Sequence, residues 1–143
     1  MEGLDLKYES ATKALASLKE LVDIIEKEEK ILHLDFIDRE KLLKILRDSL
    51  IQRFEYSVDT LWKYLKEYLF IEKGISLASA KPIFRSCLTI GLLNKSDVED
   101  LLDMVNDRNS TSHGYNEDYA EKISKKIPGY CFLIEKLLEA AKI

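Results

Sequence analysis

Between residues 107 and 115 the chain reads Asp107-Arg108-Asn109-Ser110-Thr111-Ser112-His113-Gly114-Tyr115. The residue types suggest chemistry on a phosphate. His113 can take up and release a proton near neutral pH. Arg108 offers a planar fork of donors that matches phosphate oxygens, and Tyr115 offers a phenol to an incoming group. The spacing is Arg-x4-His-x-Tyr. Five residues along a continuous helix turn through about 500°, which leaves Arg108 and His113 roughly 140° apart around the axis. Either the helix ends inside the motif, or the two residues meet their counterparts across a symmetric interface. Gly114 favours an end, because glycine readily supplies the backbone angles of a helix exit. Asn109, Ser110, Thr111 and Ser112 would orient a phosphate or cap the helix end. Asp107 would orient Arg108 or lie on ordinary helix surface. A purely structural assignment of the same residues has Arg108 capping, His113 packed in a turn and Tyr115 in the core.

Other chemistries find no support. There is no Cys-x-x-Cys, and the two histidines, His33 and His113, are 80 residues apart, so no metal site is expected. A Gly-rich phosphate loop is missing. So are the paired aspartates and the Gly-Ser of a nucleotidyltransferase, and the chain is not expected to catalyse nucleotidyl transfer. No cofactor is implied.

The elements that must position the motif are helices. Of 143 residues, 46% are hydrophobic and 34% charged, with 5 Gly and 2 Pro, a helix-rich composition. That length predicts one domain, residues 1–143. The net charge of −4 opposes nonspecific, salt-driven binding to nucleic acid. Cys87 and Cys131 sit in apolar helical patterns, as small core residues of a reducing cytoplasm do. The first residues lack a basic, then apolar, leader pattern, and no apolar run is long enough to cross a membrane.

Ala11, Leu15, Leu18, Val22 and Ile25 recur at helical steps and predict a helix from about Tyr8 to Lys30. It ends in the charge run 26–30, and His33 follows as a loop or core residue. Asp38 is placed to cap the longest helix, about Arg39 to Glu72, with a stripe from Leu42, Leu46 and Leu50 through Phe54, Val58, Leu61 and Leu65 to Tyr68. Leu43, Ile45, Ile51, Trp62 and Leu69 widen that stripe, which makes this helix the spine of a bundle or of a dimer interface. Gly74 ends it. A short third helix starts at Ser79-Ala80-Lys81-Pro82. Ser96-x-x-Glu99 has the form of a capping box for a fourth, which leads into the motif. Asn116 starts the last helix, and Pro128-Gly129 is expected to kink or interrupt it. The fold class is all-α: an up-and-down bundle of about five helices with one long central helix.

The motif, placed before the last helix of a small all-α chain, resembles that of the HEPN superfamily (higher eukaryotes and prokaryotes nucleotide-binding). Residues 52–66, Gln52-Arg53-Phe54-Glu55-Tyr56-Ser57-Val58-Asp59-Thr60-Leu61-Trp62-Lys63-Tyr64-Leu65-Lys66, look like the second helix of one subgroup, the nucleotidyltransferase substrate-binding proteins. Arg85 to Leu93 also fall where that subgroup has them, and the likeness runs from about residue 8 to 140. Leu101 or Leu102 stands where many relatives carry tryptophan. The resemblance implies a homodimer with two facing motifs and a cognate minimal nucleotidyltransferase as partner. In related pairs the HEPN protein is a ribonuclease toxin, and the partner is an antitoxin that transfers AMP to the motif tyrosine, here Tyr115.

The residues allow that activity without a metal. A 2′-hydroxyl of RNA (tRNA or mRNA) can attack the adjacent phosphate, with His113 as proton carrier and Arg108 on the developing charge. Lys122, Lys125 and Lys126 would guide RNA or form a solvated face. The alternative is a non-catalytic subunit in which Arg108 and His113 hold a nucleotide or substrate for the partner.

Overall fold

The computed structural model describes residues 2–31, 38–112 and 116–143. Among them run five helices and no strand: α1 (Glu2–Ile31), α2 (Arg39–Lys73), α3 (Ala80–Thr89), α4 (Lys95–Ser110) and α5 (Glu117–Ala140). The expected all-α bundle with a long central helix is therefore what forms. α2 touches each of the other four helices.

α1 and α2 make an antiparallel hairpin whose close approach follows from small side chains. Ala11, Ala14 and Ser57 are buried on the facing sides. There the Ser57 hydroxyl bonds the Ala14 carbonyl at 3.2 Å, and Arg53 Nη1 donates to the Ser17 carbonyl at 2.8 Å. α1 starts six residues before the expected Tyr8. Leu4 is fully buried and belongs to the core cluster, so tertiary packing extends the helix beyond its evident apolar stripe.

Helix ends follow local chemistry. Asp38 caps α2 through a bond from the Glu40 N–H, and Gly74 ends it at φ 67°, the left-handed region that glycine enters without strain. The cap of α4 differs from the expected capping box. Asn94 accepts from the Asp97 N–H at 2.8 Å, and Ser96 lies inside the first turn. Asparagine is as good a cap as serine, and starting two residues earlier still keeps Val98 and Leu101 inward. α5 is capped by Asn116 and is not interrupted at Pro128. Ile127 and Cys131 on either side are buried, and their packing holds the turn together where the proline N–H is missing.

The core stripe of α2 is also shorter than its sequence suggests. Leu50 onward is buried, but Leu42 and Leu46 are half-buried, and Leu43 and Ile45 are exposed. His33 lies outside the described residues. Cys87 and Cys131 are buried free thiols, and burial pushes them up to about 12 and about 11. No described helix is long and apolar enough to cross a membrane.

Candidate functional site

α4 ends at Ser110, with Thr111 as its C-cap. The helix thus stops inside the motif, between Arg108 and His113, which is the first of the two arrangements the spacing allowed. His113, Gly114 and Tyr115 lie outside the described residues.

Arg108 is the residue on which this end of the bundle closes. Its Nε donates to Asp59 Oδ1 and its Nη2 to Asp59 Oδ2, both at 3.1 Å, and Nη1 donates to Glu55 Oε2 at 3.0 Å. Nη1 also reaches the Thr111 hydroxyl at 3.4 Å. Four of the five guanidinium N–H groups are therefore directed at partners within the chain. The pKa of Arg108 is raised, first by its hydrogen bonds to Asp59. Its side chain is 22% exposed, and those of Glu55 and Asp59 are 30% and 36% exposed, so this cluster touches solvent.

The polar residues after Arg108 turn back on the helix end. The hydroxyls of Ser110, Thr111 and Ser112 donate to the carbonyls of Asn106, Arg108 and Asn109, respectively. The Arg108 and Asn109 carbonyls also accept the backbone N–H groups of Thr111 and Ser112, so hydroxyl and backbone bonds together tighten this last turn. Asn109 is exposed.

Asp107 does neither of the things expected of it. It is 7% exposed and faces α5, away from Arg108's partners. Tyr130 donates a short hydrogen bond to Oδ2, Tyr119 donates to Oδ1 at 3.3 Å, and Lys126 Nζ stands 3.2 Å from Oδ2. The Tyr130 hydroxyl is pushed well above its ordinary range by burial and then by Asp107. Successive residues of a helix point about 100° apart, and here that angle sends Asp107 into α5 and Arg108 onto α2. Lys126 is thus committed to Asp107, and Lys125 to Glu121 at 3.6 Å.

Glu55 and Asp59 lie within residues 52–66, but the sequence reading does not assign them as partners of Arg108. A signal for the pairing is present. Two acids four apart on one helix face repel each other, and a cation from another element is the natural remedy.

Beside this cluster lies a groove of about 320 Å³. Asp48, Ile51 and Glu55 of α2 form one wall, Ser110 and Thr111 the end of α4, and Asn116, Tyr119 and Ile123 the start of α5. Among the described residues, no three His, Cys, Asp or Glu side chains are grouped to hold a metal ion.

The five helices, with α2 in contact with each of the others, make this a small all-α protein. The chain belongs to the family described as nucleotidyltransferase substrate binding protein like, whose model matches residues 6–143. That is the subgroup whose second helix residues 52–66 resembled. A crystal structure of a protein from Thermus thermophilus is 36% identical, with a TM-score of 0.75, and the match covers 93% of this chain and 99% of that one. No curated protein matches.

Proposed function

We propose that this protein is a metal-independent endoribonuclease, the toxin of a pair whose other member is a minimal nucleotidyltransferase. The observation that carries this reading is the setting of Arg108. Two carboxylates hold its guanidinium in one orientation at the solvent-touched end of α4, beside a groove and five residues before His113. A preoriented cation is what a phosphorane transition state requires.

In the reaction, the 2′-oxygen bonds to the adjacent phosphorus as its proton passes to a base. The 5′-oxygen leaves and takes a proton, giving a 2′,3′-cyclic phosphate and a 5′-hydroxyl. His113 carries the proton. A second copy of the chain would supply a second histidine, so that one acts as base and the other as acid. Ile45, Tyr56 and Phe70, exposed by 56%, 61% and 60%, fall within about 40° around α2, and this apolar line supports a homodimer. Silencing would follow when the partner directs the Tyr115 phenol oxygen onto the α-phosphorus of ATP, releasing pyrophosphate. The AMP left on Tyr115 then places a bulky anion next to the motif.

One observation favours the second reading, a non-catalytic subunit that holds a nucleotide or substrate for its partner. The chain's own acceptors occupy most of Arg108's donors, so a phosphate must compete for them. Incubating the native protein and His113→Ala with tRNA and mRNA in EDTA separates the readings. Cyclic-phosphate products from the native protein alone are expected. Cleavage by neither protein would leave the binding subunit as the better account.

A further inference from the structure

We propose that the groove between α1 and α2 is an anion site, and that the anion it takes is the phosphodiester backbone of an RNA strand whose neighbouring segment lies at Arg108. The RNA source rests on the function proposed above. The preference for an anion rests on the groove alone.

Carboxylates outnumber cations in this chain, 26 Asp and Glu against 22 Lys and Arg, and three other grooves reflect it. The one beside Arg108 carries Asp48 and Glu55. The one between α4 and α5 carries Asp97, Asp100 and Asp103, and the one between α1 and α5 carries Asp23, Glu26 and Glu135. The α1–α2 groove, of about 570 Å³, has Lys13 and Arg53 in its lining and no carboxylate among the described residues. Arg53 gives one N–H to the Ser17 carbonyl, which leaves the rest of its fork open. Lys13 pairs with Glu9 at 3.0 Å, one turn earlier on α1. That pair is solvated and exchanges at little cost. The Ser10, Ser17 and Ser49 hydroxyls and the Gln52 amide complete the polar wall, and each can donate. Two cations, four neutral donors and no acid in the lining suit phosphate oxygens.

The position of the groove fits a strand that also reaches Arg108. Lys125 and Lys126, the lysines of α5 nearest in kind to an RNA guide, are committed to Glu121 and Asp107. Glu55 holds Arg108 on one flank of α2, while Arg53 and Tyr56, on the same turn, line the groove on the other. A helix with its side chains is about 10–12 Å across, roughly three nucleotides of a strand at about 3.4 Å each. Arg53 lies about 60° around α2 from Tyr56, so the groove opens on the α1 side of the apolar line given to a second copy.

The test compares a labelled octanucleotide of RNA, long enough to span both places, with the dinucleotide ApA, which is not. Both are titrated into intact protein carrying His113→Ala, with and without a change in the groove. Lys13 and Gln52 are exposed, and an unchanged melting temperature would show that their variants still fold. The octanucleotide's advantage over ApA should fall about threefold in Lys13→Gln and about tenfold in Gln52→Glu, which sets a carboxylate among the donors. Lys13→Gln should also flatten the salt dependence of octanucleotide binding, by about 0.7 in the slope of log K against log salt. A merely structural lysine would leave that slope alone. An unchanged advantage in both variants overturns the site. So does a polyglutamate of equal charge that displaces the octanucleotide as well as unlabelled RNA does, which would mark a groove for any anion. RNA cleavage by the native protein with no effect of either variant would sink the groove and spare the ribonuclease. A reduced advantage and slope without cleavage would do the reverse.

Discussion

Asp107 and Arg108 are neighbours in sequence and opposites in setting. Asp107 is buried against α5, where two phenols and an ammonium converge on one carboxylate. Arg108 faces α2, where two carboxylates converge on one guanidinium that water still reaches. Both are multiply bonded ionic groups, but burial separates their consequences. A charge in a dry site cannot lose a partner without a large penalty. A charge at the solvent boundary can exchange one partner for another at small cost, because water screens the intermediate. The first arrangement fixes α4 on α5; the second holds a cation where a ligand can claim it.

The largest test of that contrast is Asp107→Ala. It leaves the Tyr130 hydroxyl without its acceptor in a buried site and frees Lys126, and a loss of about 3–4 kcal/mol in denaturant unfolding is expected. Asp107→Asn keeps an acceptor and should lose roughly half as much. A loss below about 1 kcal/mol for the alanine variant would mean that burial does not set the two residues apart.

Arg108→Ala should show the opposite profile. It leaves Glu55 and Asp59 repelling each other at the surface, for a stability loss of about 1 kcal/mol. RNA cleavage, however, should fall by about 10²–10³, the usual effect of removing a preorganised donor from developing charge. Arg108→Lys should recover little activity, since a single ammonium cannot span Asp59 and Glu55 together. Unfolding curves and cleavage rates on the same samples check both halves. An Arg108→Ala variant that unfolds as readily as Asp107→Ala would make the arginine a structural tie.

The contrast also shows how far the sequence could be read. Helical periodicity located all five helices, because burial on one face repeats every three to four residues. The motif was legible because arginine, histidine and tyrosine at that spacing are rare and carry a family resemblance. What escaped was pairing between elements. Nothing local to Asp107 says that Tyr119 and Tyr130 will meet it, because that depends on how α5 crosses α4. Likewise, Leu42 and Ile45 continue the apolar stripe of α2 on paper, but the bundle does not bury them as it does Leu50. Asn94 won the cap over Ser96 by a choice between two good caps that only packing decides. The interruption that Pro128 could have made in α5 was overridden for the same reason.

Alkaline pH separates the two sites by a smaller amount. Burial and Asp107 hold the Tyr130 proton in the folded state well above its ordinary range, so the unfolded chain releases that proton first as pH rises. The stability tied to this group is fully present below about pH 10 and falls above it, by about 1.4 kcal/mol per pH unit. Arg108, with its pKa raised by Asp59, keeps its proton throughout that range. Tyr130→Phe should therefore show a shallower decline than the native protein above pH 10, and Arg108→Ala the same decline as native. Burial raises Tyr64 as well, so some decline remains in the variant; parallel slopes for Tyr130→Phe and the native protein would remove Tyr130 from the alkaline-sensitive groups.

The smallest effect is the most telling for the arginine. Asp59 bonds both Nε and Nη2, a two-point grip that sets the plane of the guanidinium. Glu55 bonds only Nη1, the atom it shares with Thr111. The two acids should therefore act differently: Asp59 orients, and Glu55 competes with phosphate. Glu55→Gln keeps the shape and an acceptor oxygen but removes the charge that a phosphate must displace. RNA should then bind about three- to fivefold more tightly, a gain of about 1 kcal/mol, with stability changed by less than that. Asp59→Asn should weaken binding instead, because it loosens the plane of the fork. Fluorescence anisotropy with a labelled RNA, on variants that also carry His113→Ala to prevent cleavage, reads both. If the two substitutions move affinity in the same direction, the carboxylates act as one counter-charge, and Arg108 is no more exchangeable than Asp107.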